Sequence, residues 1–400
     1  MRGIEYLRRK LSLKRTRVLT RYRYYDMKNG VHDLSVTMPA KFAWLSECLG
    51  WSARAVDAIA DRSIVRDFKD DNFGFSEIYN LNNRDILFDS AILGACIASC
   101  SFVYISQGED GFPRLQVIDG SDATGIIDPV TYLLQEGYAV LERDDHDNPT
   151  IEAYFEPHRT TIYRDGEEEV YDHAAPYPLL VPIIYRPDAK RPFGHSRISR
   201  ACMGIQQSAL RTMRRSEISA EFYSFPQKYV LGLSEDAEEM DSWRATVSTF
   251  LRFDKDEDGD KPTLGQFSQQ SMSPFVEQIR MFAGLFAGET GLTLDDLGFP
   301  SQNPSSSEAI KASHETLRLT ARKAQRTFGT GFINVGYLAS CIRDNQEYTR
   351  SQIYQTKVSW MPIFEPDASA ISVVGDGLFK IEQAYPGWLT EDKLYELIGI

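Results

Sequence analysis

Asp254, Asp256 and Asp258 alternate with Lys255 and Glu257 and precede Gly259, so the stretch DKDEDGDKPTLG opens like a calcium loop. Carboxylates at positions 1, 3 and 5 are oxygen ligands for a hard cation. The glycine at 6 makes the sharp turn, and Asp260 offers a carbonyl at 7. The bidentate glutamate required at position 12 is replaced by Gly265, and Pro262 falls at position 9. Without its main clamp the stretch reads as an acidic, solvated turn. No metal and no cofactor is expected, and Asp254, Asp256 and Asp258 are the one conceivable calcium set.

The other groups capable of chemistry are dispersed. His32, His146, His158, His173, His195 and His314 form neither an HExxH pair nor the order of a nucleophile–base–acid triad. His158 and His173 can face each other across a 159–172 hairpin, as a surface pair. Asp144–Asp145 and Glu167–Glu169 read as loop charges, and Gly375–Asp376–Gly377 lacks the strand-to-helix setting of a dinucleotide fingerprint. Cys48, Cys96, Cys100, Cys202 and Cys341 are odd in number and without a CxxC, as expected of reduced core thiols in a cytosolic protein. No catalytic residue is expected, and the chain reads as no enzyme.

The 400 residues are 42% hydrophobic and 25% charged, which suits a globular chain. The net charge of −13 argues against a broad grip on nucleic acid phosphates. Residues 1–28 depart from this balance, with ten Lys and Arg against Glu5 and Asp26. Ile4, Leu7, Leu11 and Val18 recur there at helical spacing. Such a basic amphipathic segment can touch anionic lipid, nucleic acid or an acidic partner, or pack as a solvated helix on its own chain. There is no apolar leader segment, and the run Ala91–Ala98 is too short to cross a bilayer, so no membrane partner is expected.

The periodicity orders the elements. Residues 39–100 read as mostly helical, with Phe42, Leu45, Leu49, Val56 and Ile59 at three-to-four spacing. Residues 102–186 read as short strands, with Asp165–Gly166 as a hairpin turn and YPLLVPIIYRP as an edge or crossing segment. A helix over 196–223 carries an apolar stripe (Ile198, Ala201, Ile205, Ala209, Met213) beside a polar one (Arg200, Gln207, Arg211, Arg214). An insert over 225–267 holds a strand at 228–231 and a helix over 235–250. After it come a helix near 273–290, a polar prolyl loop, and a long helix from about 306 to 326 that can continue past Gly329 to Asn345. Ile310, Leu317, Ala321, Ala324 and Phe328 take one side of it. Lys311, Arg318, Arg322 and Arg326 take another, free to meet phosphate, a neighbouring subunit's acids or solvent. A strand within QTKVSWMPIFEP and two short helices close the chain, the last capped by Thr390. Two helices flanking a small insert expose much surface alone, which predicts a homo-oligomer.

Four stretches in this order resemble the portal proteins of tailed bacteriophages, of the SPP1 Gp6-like type. RPFGHSRISRACMGIQQSALRTMRRSE resembles the opening of the first stem helix, through Gly194, Ser196, Arg197 and Ile198. FPQKYVLGL resembles the entry to the clip. IRMFAGLFAGETGLTLDDLGFPSQNPSSSEAIKASHETL resembles the second stem helix, the tunnel loop and the start of the wing helix. VSWMPIFEPDASAISVVGDGLFKI with LTEDKLYELIGI resembles the return strand and closing helices. The resemblance covers most of 190–400.

It implies an α+β portal fold with a mixed α/β wing, a two-helix stem carrying a small α/β clip, a tunnel loop and a long wing helix. The implied divisions are an N-terminal wing (1–190, helical then β-rich), the first stem helix (191–224, with Arg211 and Arg214), the clip (225–267) and the second stem helix (268–291). Then follow the tunnel loop (292–307), the long wing helix with its return strand (308–365), and C-terminal helices as a minimal crown (366–400). Many relatives continue into a larger crown, and this clip is short. The implied channel residues are Thr293, Pro300, Ser301, Gln302, Asn303, Pro304, Ser305, Ser306 and Ser307. Their hydroxyls and amides can face hydrated DNA without strong binding, and the two prolines limit the loop's conformations. Asp254, Asp256, Asp258 and Asp260 are the implied docking acids of the clip.

The implied function is a ring, typically of twelve subunits, at one capsid vertex. Double-stranded DNA passes through it during packaging and ejection. The implied partners are the terminase large subunit, then the head–tail adaptor, with major capsid and scaffolding proteins around the wing. Assembly takes place in the host cytoplasm. An acidic balance suits such a conduit, because repelled phosphate slides instead of sticking. The alternative is another head–tail connector or structural ring of the virion.

Overall fold

The computed structural model describes residues 2–32, 47–108, 111–164, 166–224, 228–231, 263–266, 271–300, 307–364 and 368–387. Several expectations lie outside them: Phe42 and Leu45, the helix of 235–250, the turn Asp254–Asp260, loop residues 301–306 and the closing helix after Thr390. The fold is α+β, and the chain divides into two compact units.

The first unit comprises residues 1–29, 50–203 and 287–400. Its N-terminal helix α1 (Ile4–Tyr25) has Leu7, Leu11, Val18 and Tyr24 on a buried face. Leu7 and Leu11 pack into Tyr138, Val140 and Tyr154, with Ile4, Ile126 and Tyr163 around them. That surface belongs to a five-stranded antiparallel sheet in simple meander order: β4 (Ala123–Ile127), β5 (Leu134–Arg143), β6 (Pro149–Glu156), β7 (Arg159–Arg164) and β8 (Glu167–Asp172). The β7–β8 hairpin turns as its sequence predicts, with Arg164 opposite Glu167 and Gly166 at φ 86°. β8 is the edge strand.

A second sheet runs in the order β3 (Pro113–Ile118), β2 (Cys100–Gln107), β9 (Leu180–Ile184). The prolyl segment is thus an edge strand, as expected. Helices α2 (Trp51–Ala60), α3 (Phe75–Asn80) and α4 (Arg84–Ala98) pack beside it, and α4 is buried over nearly its whole C-terminal half. One strand was hidden in the sequence. β1 (Val65–Lys69) lies inside a stretch that reads as helical and pairs with β12 (Lys357–Trp360). Nothing local distinguishes it, because its partner comes from the far end of the chain.

The polar loop is followed by α7 (Ser307–Ser313), a break at His314, and α8 (Glu315–Arg343). The helix therefore passes Gly329, Gly331 and Gly336 without stopping. A Cβ at Gly331 would lie 2.7 Å from Ile183 Cδ1, and one at Gly336 would lie 2.7 Å from the Phe75 ring. These glycines are points of close approach to β9 and α3, not terminators. Around them Phe68, Phe75, Tyr79, Phe88 and Phe332 form one aromatic cluster, in which the Tyr79 hydroxyl donates to Phe332 O at 2.6 Å. Helix α9 (Ala368–Ala384) absorbs the Gly375–Gly377 stretch into a regular helix.

The second unit comprises residues 30–49 and 204–286. It holds most of α5 (Arg200–Ser224), the hairpin β10 (Lys228–Leu231) with β11 (Thr263–Gln266), and much of α6 (Ser273–Thr290). The expected apolar stripe of α5 needs correction. Ile198 and Ala209 are buried, but Ala201 is exposed and Ile205 and Met213 are half-buried. Cys202, Ala209 and Leu210 are buried alongside polar side chains that find partners. Gln206 donates to Leu49 O at 2.7 Å, Gln207 donates to Gly30 O at 2.8 Å and accepts from His32 N at 3.0 Å, and Arg214 pairs with Glu47 at 2.9 Å. Arg211 is half-buried and donates to Ser208 Oγ at 2.9 Å. Hydrogen bonds to Gly30, His32, Glu47 and Leu49 make polar burial affordable where periodicity alone reads a solvent face.

The histidine pair also departs from expectation. The His173 N–H donates to His158 O at 2.9 Å, so the residues do face each other, but only His158 is exposed. Both ring nitrogens of His173 are buried without a hydrogen-bond partner among the described residues. Burial, then the neighbouring His158, pull His173 down to about 4. The unfolded ring titrates near 6.5. Between those values the unfolded state binds the extra proton, so stability falls as pH drops from about 6.5 toward 4. Thermal melts across that range should show the loss, and His173→Phe should flatten it.

Candidate functional site

The segment that leads from β9 into α5 is built to serve the ends of other helices. A helix leaves its last four carbonyls without intrahelical donors. In α4, Ile97 O accepts the Ser196 hydroxyl at 2.6 Å, Cys96 O accepts the Arg197 N–H at 2.9 Å, and Ala98 O accepts Arg21 Nη1 at 2.7 Å. In α6, the terminal Thr290 O accepts Arg197 Nη2, while Arg197 Nε donates to Ala55 O of α2 at 3.0 Å. Arg197 is 7% exposed, and its charge lies where the α6 dipole favours a cation. Ser199 then caps α5 by accepting the Cys202 N–H at 3.1 Å, and it donates to Glu289 at 2.8 Å.

Gly194 makes this geometry possible. It sits at φ 75°, and a Cβ there would lie 2.1 Å from Tyr185 O. The His195 N–H donates to that same oxygen at 3.0 Å. The sequence-predicted residues Gly194, Ser196, Arg197 and Ile198 therefore converge on one joint. Arg211 and Arg214 do not join them and belong to the second unit. Burial pushes the Cys96 thiol beneath this joint up to about 12, against the lowering influence of Arg197, so it is unreactive. Cys100 behaves likewise, at about 11. Cys48 is the exception to the expected set, being exposed.

A second constellation flanks the polar loop. The Thr293 N–H and hydroxyl donate to Asp296 Oδ2 at 3.0 and 2.9 Å, and the Asp296 N–H returns to Thr293 Oγ1 at 3.2 Å. Arg54 Nη2 lies 3.5 Å from Asp296 Oδ1, and His314 Nε2 lies 3.2 Å from Asp296 Oδ2. Asp296 thus ties the chain before the loop to the His314 break after it. Burial raises its carboxyl, but the Thr293 hydrogen bonds with His314 and Arg54 outweigh this and hold it below the usual range. Sequence reasoning missed Asp296, His314 and Arg54, although Thr293-x-x-Asp296 is a readable capping pattern. Of the predicted loop residues, Thr293 belongs to this clamp and Pro300 is exposed. Ser307 opens α7, and 301–306 lie outside the described residues.

Asp296→Asn should cost about 1.5–3 kcal/mol, the range for a charge-assisted hydrogen bond. Because the folded carboxyl titrates low, its contribution is complete above about pH 4 and is lost as pH falls through the folded value. Melts of the two proteins should therefore differ at neutral pH and converge in acid.

The basic surfaces divide. In α1, Arg8 pairs with Glu152, Arg15 with Asp147 at 2.6 Å, and Lys10 donates to Gly125 O, so these cations hold the helix on its own chain. Arg9, Arg17 and Arg23 remain exposed. In α8, Arg318 pairs with Glu315 at 2.6 Å, while Arg322, Lys323 and Arg326 are exposed. No group of three or more candidate metal ligands occurs among the described residues, and no described helix is long and apolar enough to cross a membrane.

Known proteins resemble this arrangement at the level of both sequence and fold. The portal protein of Mycobacterium phage L5 is 24% identical over 331 residues, covering 76% of this chain and 67% of the relative. The portal protein of Mycobacterium phage D29 is 24% identical over 332 residues with the same coverage. Two solved structures share the fold at 14% identity, each covering 96% of this chain and 93% of its own. One is from the virion of a native gene transfer agent particle (TM-score 0.51), the other from the neck of an empty gene transfer agent particle (TM-score 0.52). The family described as phage portal protein, SPP1 Gp6-like, matches residues 4–371, the span that holds both the helix-capping joint and the Asp296 clamp, and the chain belongs to that family.

Proposed function

We propose that copies of this chain, twelve in number, close into a ring at one vertex of the capsid and conduct double-stranded DNA during packaging and ejection. The observation that carries this reading is the family match over residues 4–371. The role is structural, with no bond made or broken by this chain. The segment 225–267, with Asp254, Asp256, Asp258 and Asp260, docks first the terminase large subunit and then the head–tail adaptor. The surface of the first unit meets major capsid and scaffolding proteins. Residues 292–307 project toward the ring axis, and the hydrogen bonds of Asp296 support this by fixing both flanks of the loop. Its Ser, Gln and Asn side chains meet hydrated DNA without holding it.

Electron microscopy of the full chain over a concentration series tests the ring. Closed rings with a hole wide enough for a duplex are expected, and a compact assembly without a hole would overturn the reading. Shortening 299–306 should leave rings intact but reduce DNA-filled heads at least tenfold. Normal filling would remove the loop from the channel.

A further inference from the structure

A cavity of 240 Å³ lies between α8 and β9. Pro182, Ile184 and Gly331 form its apolar surface, Tyr132 and Thr330 contribute to its lining, and Asn334 lines it from α8. Asn334 is 2% exposed, and its side chain forms no hydrogen bond among the described residues. Its amide can donate twice and accept, so a polar group entering the cavity can bond it. The volume falls below the roughly 300–1,000 Å³ of small-molecule sites and suits a single side chain.

The mouth is cationic. Arg326 and Lys323 are exposed one helical turn before the lining residues Thr330 and Thr327, and Arg186 is exposed beside Pro187. Arg350 reaches Thr131 O, next to Tyr132. The nearby carboxylates are engaged: Asp128 accepts from Val130 N and the Thr131 hydroxyl, and Asp188 accepts from Lys190 N, Arg191 N and His195.

We propose that this cavity receives Tyr171 of a second copy of the chain, presented on β8. The match is one of charge and shape. β8 is an edge strand with every residue exposed except Glu169, and Tyr171 is 52% exposed. Glu167, Glu169 and Tyr171 share one face of that strand, and Glu167 forms no ion pair among the described residues. The ring of Tyr171 covers the Pro182–Ile184 surface, and its phenol bonds the Asn334 amide in place of its exposed bond to Glu169. Glu167 and Glu169, on the face of Tyr171, meet the cationic mouth. Cavity and strand are different surfaces, so each copy uses one on either neighbour, and the contact propagates until a ring closes. This rests on the ring proposed above.

The test uses the full chain carrying Cys48→Ser, which removes the exposed thiol. Tyr171→Cys with Thr330→Cys in one chain, treated with a short bismaleimide, should give a ladder of linked multimers that neither single variant gives. Arg326→Glu or Glu167→Lys alone should raise the assembly midpoint at least tenfold, and the two together should restore it. Rings without a ladder, with both reversals assembling normally, would overturn this contact and leave the ring reading standing. A chain monomeric at every concentration would overturn both.

Discussion

Arg197→Met should lower the stability of the first unit by about 2–4 kcal/mol, because two charge-assisted hydrogen bonds of roughly 1.5–3 kcal/mol each are lost inside the fold. Methionine keeps the unbranched stem and most of the packing, so the loss isolates the guanidinium. The residue is 7% exposed, and its donors reach Ala55 O and Thr290 O. Ala55 O lies within a helix that already supplies it a donor. The larger share therefore falls on Thr290 O, the last carbonyl of α6. Arg197→Lys should fall between the two, since one ammonium cannot reach both carbonyls in fork geometry. Denaturant melts decide it: a methionine variant within about 0.5 kcal/mol of the parent would mean the joint does not depend on this side chain.

Gly194→Ala should be the more damaging change. A left-handed backbone costs an ordinary residue about 1–3 kcal/mol, and here the new methyl would also meet Tyr185 O at 2.1 Å and Ile184 Cγ2 at 2.8 Å. Relief requires moving the exit of β9, whose Tyr185 N–H is bonded to Ser99 O at 3.0 Å. The expected result is a loss above about 3 kcal/mol or failure to recover soluble protein. Gly204→Ala is the matched control. It lies in α5 with nothing within 4 Å of a new Cβ, and it should be neutral or stabilising by up to about 1 kcal/mol. Equal behaviour of the two alanines would refute the steric account.

Much of this was legible beforehand because it is local. The β7–β8 turn, the edge position of β9 and the buried face of α1 follow from turn residues, prolines and helical spacing. What stayed hidden depends on partners distant in the chain. β1 reads as part of a helical region until β12 pairs with it, and the buried Gln207 looks solvent-facing until Gly30 and His32 bond it. The glycines of α8 look like stops until β9 and α3 approach them. Of the joint, sequence resemblance named Gly194, Ser196, Arg197 and Ile198, but their work as caps for α4 and α6 needed coordinates. In the clamp, Thr293 was named while Asp296 and His314 were passed over. His314 was counted only as one of six scattered histidines, and its contact depends on a break that the pattern did not show.

The pairing of β1 with β12 also sets a clock for synthesis. Val65 leaves the ribosome nearly 300 residues before Trp360, and the aromatic cluster around Phe75, Tyr79 and Phe88 likewise waits for Phe332. Contacts of such sequence separation form late and slowly. A nascent or prematurely terminated chain therefore keeps an unpaired strand and an open aromatic cluster, which are features that holdase chaperones and proteases recognise. Only a chain translated past Trp360 can hide them, so quality control can act on incomplete copies before they reach an assembly in which one defective member would spoil the whole.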